Sequence, residues 1–295
     1  MQGTQNISAG TAGKPRIPGN QELLQLLADP NEYIASMAMD QIINGEVGES
    51  QRVQLFRDNQ DCDDTLLRRR LQQLGAAVQM IDQQKAFVAS LGKSRTALLS
   101  SMIALDRIYN PKSSGEYLMQ LMRDLYVGYI ACGDMNPADA ISVYMKSRHF
   151  SVPPLPWLNI GLFLIGDVLE NCTGVPHIMV AIAAAVAHSQ SIETTICMSD
   201  GHIGLRFDNG DVVNPAEDWK VRKDIKPSNM HLCSNLQVVK ALMSLALSTT
   251  VATWNVYDAH IFASLLTALE KLPLSTLPYP YGDTFRPQTG KEASQ

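Results

Sequence analysis

The stretch LENCTGVPHIMVAIAAAVA at residues 169–187, followed by DGHIGLRFDNGDVVNP at residues 200–215, decides the fold class. Val175–Ala187 is apolar almost all round, which marks a helix buried on every side rather than a surface helix with one apolar stripe. Pro176 suits the first turn of that helix, where a missing amide leaves no bond unmade. Ile192–Met198 and His202–Phe207 alternate with period two and predict strands. Asp208-Asn209-Gly210 predicts a hairpin turn, and Asp211–Asn214 begins the return strand. One buried helix and a small antiparallel sheet, with helical patterns before and after, predict an α+β fold that is predominantly α, without βαβ units.

Towards the N-terminus the pattern is helical. Leu23, Leu24, Leu26 and Leu27 precede Asp29-Pro30, which stops a helix. Ile34, Met37, Ala38, Gln41 and Ile42 recur at helical spacing, and Asn44-Gly45 predicts a left-handed cap. Val53, Leu55 and Phe56 then lead into the acidic break Asp61-Cys62-Asp63-Asp64, after which Thr65–Leu74 resumes a helix. The pattern of apolar helix, acidic turn and second helix occurs twice and resembles HEAT-type repeats, whose units need a neighbour to bury their apolar face. These helices should bury Leu23, Leu27, Ile34, Met37, Leu67 and Leu71. Ala97, Leu98, Met102, Leu105 and Ile108 form a further stripe. Tyr117, Leu118, Leu121, Met122, Leu125 and Tyr126 form another, broken at Cys132-Gly133-Asp134. Asn136-Pro137 predicts the cap and first position of a short helix. Beyond the sheet, Leu236–Leu247 and Tyr257–Leu272 read as a helix pair that faintly resembles a tetratricopeptide repeat. The expected organisation is a tail at 1–19, a HEAT-like region at 20–90, a core at 91–235, a helix pair at 236–281 and a tail at 282–295.

Composition narrows the function. Lys plus Arg is 24 against 29 Asp plus Glu, a net charge of -5, with 45% apolar and 18% charged residues. That is ordinary globular material, and the mild acidity without a basic stripe argues against nucleic-acid binding. The densest basic run, Arg68-Arg69-Arg70, lies in a helical pattern. Five scattered cysteines without CxxC spacing argue against a disulfide framework and a zinc knuckle, and fit a reducing, cytoplasmic compartment. The first 20 residues lack an apolar signal segment, and the apolar runs are too short or too interrupted to span a bilayer. His177 and His188 lie at opposite ends of the buried helix without ligand spacing, so no metal and no cofactor is expected.

The residues that carry chemistry are Cys172, His202 and Asn214. A thiolate at a helix start, an imidazole within hydrogen-bond reach and an amide or carboxylate to orient the ring make a cysteine hydrolase or acyl transferase. Two hairpin registers are open. A three-residue loop at Asp208-Asn209-Gly210 sets Phe207 opposite Asp211 and Gly204 opposite Asn214, and puts Asn214 on the face of His202, one diagonal step away. A two-residue turn at Asn209-Gly210 sets Leu205 opposite Asn214 and points the amide away.

Gly174-Val175-Pro176, Gly201-His202 and Asn214-Pro215 together resemble the bacterial SirB-type transglutaminase-like family. The resemblance covers about 50 residues, and HEAT-like and tetratricopeptide-like surroundings suit that family. It implies a transglutaminase-like, papain-like core with Cys172, His202 and Asn214 as catalytic or vestigial residues. In active members the nucleophile holds the third position of a Gly-x-Cys turn; here Pro176 holds it, and Cys172 lies four residues upstream. A displacement of about 6 Å along a helix is more than proximity chemistry tolerates. The expectation is therefore a pseudoenzyme that binds or scaffolds another protein. The alternative is a cysteine-dependent amide hydrolase or acyl transferase using the same three residues.

Overall fold

The computed structural model describes residues 19–44, 47–59, 62–91, 97–130, 135–223, 225 and 227–272. Gly45, the Cys132-Gly133-Asp134 break and both expected tails, apart from Gly19, lie outside the described residues. The fold is α+β and predominantly α. Packing divides the chain into two compact units between Asp82 and Gln83.

The first unit is helical: α1 (Asn20–Ala28), α2 (Glu32–Asn44), α3 (Glu49–Asp58) and the start of α4 (Thr65–Ser90). α1 ends ahead of Asp29-Pro30, and the Asp64 carboxylate caps α4 by accepting the Leu66 and Leu67 amides at 2.8 and 3.1 Å. Leu23, Leu27, Leu55, Leu71 and Leu74 form the core with Ala38 and Ile42. On α2 the expectation is corrected. Ala35, Ala38 and Ile42 face inward, whereas Ile34 is only half-buried and Met37 is 52% exposed. Stripes starting at 34 and at 35 differ by about 100° of rotation. The buried face of α2 is therefore Ala35, Ala38 and Ile42, of which Ala38 and Ile42 join Leu23 and Leu27 of α1 in one core.

The basic run is structural. Arg70 is 1% exposed, donates from Nη1 to the carbonyls of Leu27 (2.7 Å) and Asp29, and pairs through Nη2 with Glu32 at 3.1 Å. The last carbonyls of a helix lack intrahelical donors, so a buried guanidinium here satisfies the end of α1 and neutralises its negative pole. Arg68, which is exposed, donates from Nε and Nη2 to the carbonyl of Cys62 ahead of α4.

The second unit is built around one helix. α5 (Ala97–Tyr109), α6 (Gly115–Ile130) and α7 (Pro137–Ser147) precede a 3-10 turn at 160–163, α8 (Ile165–Asn171) and α9 (Pro176–Ser189). Then come β1 (Thr194–Ser199), β2 (His202–Phe207), β3 (Val212–Asn214), β4 (Lys220–Arg222) and β5 (Met230–Leu232). α10 (Asn235–Ala252) and α11 (Val256–Glu270) follow. Ile178, Met179, Val180, Ile182 and Ala183 of α9 are fully buried, and the helix touches α5, α6, α7, α10, β1 and β2. No described helix is long and apolar enough to cross a membrane.

The sheet is antiparallel in the order β4-β3-β2-β1-β5. Asp200 (φ 50°) and Gly201 (φ 79°) turn β1 into β2 as a two-residue hairpin whose positive dihedrals match strand twist. Between β2 and β3 the loop has three residues. The Phe207 amide donates to Asp211 O and the Gly210 amide to Phe207 O, each at 2.9 Å, with Gly210 at φ 89°. This selects one of the two registers left open by the sequence. The edge strands β4 and β5 are additions to the sequence reading, each three residues long. Trp219 fixes β4 to the helices: it is fully buried, its indole N–H donates to Phe150 O, and its own carbonyl accepts the Ser142 hydroxyl, both at 2.6 Å.

Candidate functional site at the N-terminal end of the buried helix

β1 runs back along α9. His188, near the C-terminal end of the helix, shares a 3.0 Å hydrogen bond with Thr194 at the start of β1, so β1 ends at Ser199 towards the N-terminal end of α9. His202 is paired directly across from Ser199. The register Leu205 to Val213 sets Gly204 opposite Asn214, so Ser199, His202 and Asn214 share one face of the sheet. The sheet thus brings the imidazole and the amide onto one face, whereas Thr194, which meets α9 through His188, alternates onto the other.

Their partners differ from a relay. The Asn214 side chain is 3% exposed, and its Oδ1 accepts the Ala216 amide at 2.9 Å, opening a 3-10 turn at Pro215–Glu217. His202 is exposed, and its charged neighbour is Glu217. Glu217 is itself held by Arg222, which donates to it from Nε at 3.1 Å and from Nη2, and which also binds Asp200 at 2.8 Å. That hydrogen bonding, ahead of the other charges nearby, pulls the Glu217 carboxyl below its ordinary range. The Asp200–Arg222–Glu217 cluster beside His202 was missed from the sequence, because it depends on the Asn-Pro turn bringing Glu217 back under β4. The readable signal was Asn214-Pro215 itself.

Cys172 is the C-cap of α8, in the left-handed conformation at φ 54° and ψ 21°. Its carbonyl accepts the Ser151 amide at 2.9 Å, and Ser151 O accepts the Gly174 amide at 3.2 Å. The turn is tight at Gly174, where a Cβ would lie 2.5 Å from Val168. Burial raises the half-buried thiol, and Arg148 only opposes the shift. The end of a helix repels a thiolate, as its start attracts one. No hydrogen bond joins any two of Cys172, His202 and Asn214 among the described residues.

α9 begins with Val175 as N-cap, which offers no side-chain bond, and Pro176 follows. His177, in that first turn, is 8% exposed, and its Nδ1 has no hydrogen-bond partner among the described residues. Burial lowers its pKa to about 4, so the ring is neutral near neutral pH. Ser199 Oγ is likewise buried without a partner. The chain matches no protein-family model, no curated protein and no solved structure.

Proposed function

We propose that the second unit is a catalytically degenerate transglutaminase-like core, and that the protein is a cytoplasmic binding or scaffolding module for another protein rather than for nucleic acid. The observation that carries this reading is the setting of Cys172: a helix C-cap, half-buried, with its thiol pushed up and no imidazole bonded to it. A nucleophile needs the opposite of each of these. Pro176 stands at the position the family gives to its cysteine and brings neither a thiol nor an amide to that turn. Asn214 Oδ1 accepts the Ala216 amide, and no hydrogen bond joins it to His202 among the described residues. The described cysteines are free thiols, which suits a reducing compartment. A fold alone confers no activity, and exposed helical surface remains available for partners.

Transamidation gives a direct check. Full-length protein incubated with a fluorescent primary amine and a glutamine-rich protein acceptor should label the acceptor no faster than the Cys172→Ala variant does. Labelling lost in both Cys172→Ala and His202→Ala would make the protein an acyl transferase.

A further inference from the structure

We propose that Asn209-Gly210, at the tip of the β2–β3 hairpin, is a covalent modification site controlled by the fold: the closed hairpin withholds Asn209 from cyclisation and deamidation, and opening of the tip releases it to products that the hairpin accommodates less well. The inference goes beyond the binding role and does not depend on it.

The reaction needs only water. The main-chain nitrogen of Gly210 attacks Cγ of Asn209, and the new N–Cγ bond closes a succinimide ring. The Cγ–Nδ2 bond breaks, and ammonia leaves with the proton that the Gly210 nitrogen gives up. Water then opens the ring. Opening at one carbonyl leaves aspartate; opening at the other leaves isoaspartate, whose main chain runs through the side-chain carbon. Glycine on the C-terminal side favours the attack, because it has no Cβ to crowd the nitrogen. The sequence has one other Asn-Gly pair, Asn44-Gly45, and its glycine lies outside the described residues.

Both reacting groups are engaged in the closed hairpin. The Gly210 amide donates to Phe207 O at 2.9 Å. Asn209 is exposed, yet its side chain is anchored at both ends: Nδ2 donates to Asp211 Oδ2 at 2.8 Å, and Oδ1 accepts the Asp211 amide at 3.0 Å. The anchor is itself fixed, since Asp211 is 7% exposed and its carbonyl accepts the Phe207 amide at 2.9 Å. Asn209 must leave Asp211, and Gly210 must leave Phe207, before the nitrogen reaches Cγ. Exposure alone marks Asn209 as labile; its hydrogen bonds protect it while the tip stays closed.

Either product puts a carboxylate where the amide donor stood. It meets the Asp211 carboxylate, with Asp208 next to it in the chain, so like charges crowd one short loop. Isoaspartate also adds a carbon to the main chain of a three-residue loop. That loop length sets Leu205 opposite Val213, and with it Gly204 opposite Asn214. The change is therefore one-way: a hairpin that opens long enough to react closes less well afterwards.

The test is peptide mass mapping of the full-length protein held at mildly alkaline pH, either folded or unfolded in urea, with aspartate and isoaspartate at position 209 separated by chromatography. Asn209 should convert at least about tenfold more slowly in the folded protein, because only molecules with an open tip react. Equal rates in the two states would overturn the proposal. This comparison uses the wild-type chain alone, so it stands even if a variant fails to fold. Folded Asp211→Ala, which removes the acceptor of Nδ2, should convert faster than folded wild type. A second measurement reads the product. Asn209→Asp should unfold at a lower urea concentration than wild type, and adding Asp211→Asn, which restores a donor opposite the new carboxylate, should recover part of the loss. Wild-type stability in Asn209→Asp would overturn the claim that the hairpin accommodates the product less well.

Discussion

Trp219→Ala is expected to cost the second unit about 3–5 kcal/mol of unfolding free energy, the range for emptying a large aromatic site in a core. Trp219 is fully buried and its indole is bonded to Phe150 O, so truncation leaves both a cavity and an unsatisfied carbonyl. Its backbone carries a positive φ of 58° and bonds Ser142, so the side chain and main chain both tie β4 to the helices around α9. Urea unfolding followed by far-ultraviolet circular dichroism measures the effect. Trp219→Phe should recover part of it, by keeping an aromatic ring and most of the volume while losing the donor. A loss below about 1 kcal/mol for Trp219→Ala would contradict the packing described here.

The second large effect is a pH dependence written by His177. Folding lowers its pKa from the ordinary 6.5 to about 4, because burial disfavours the imidazolium. The folded value is the depressed one, so the unfolded chain binds the proton more readily between these two values. The stabilisation is complete above about pH 6.5 and is lost as pH falls towards 4. Over that window His177 alone should remove about 3 kcal/mol, at a slope of at most about 1.4 kcal/mol per pH unit. His177→Leu should flatten that part of the stability profile. Parallel profiles for wild type and variant between pH 7 and 4 would contradict the burial of a neutral ring.

Much of the architecture is legible in the residues because it depends on local signals. α9 is apolar on every face, and only a helix enclosed by other elements tolerates that. Asn136 caps α7 ahead of Pro137, as the sequence rule requires. The positions that escaped depend on tertiary packing. α2 presents Ala35, Ala38 and Ile42 inward, a face that periodicity cannot tell from the one starting at Ile34. β4 and β5 are too short for alternation to register, and they exist because β3 and β1 offer edges to pair with.

The candidate site divides the same way. Counting along a three-residue hairpin puts His202 and Asn214 on one face, but the choice between two turns needed the Phe207 to Asp211 pairing. That Cys172 caps α8 in a left-handed conformation was not written in its neighbours, since a glycine two residues later is the expected occupant of such a cap. The capture of Asn214 by the Ala216 amide follows an Asx-Pro habit and was readable; the Arg222–Glu217 pair beside His202 was not.

The most direct measurement of the central claim is the rate at which iodoacetamide alkylates Cys172 as a function of pH, followed peptide by peptide in wild type and His202→Ala. A thiol raised by burial at the end of a helix should react slowly at neutral pH, reach its full rate only at a higher pH than an ordinary thiol does, and ignore the histidine. Fast, selective alkylation of Cys172 below pH 7 that disappears in His202→Ala would reveal a thiolate–imidazolium pair and contradict the binding-module account.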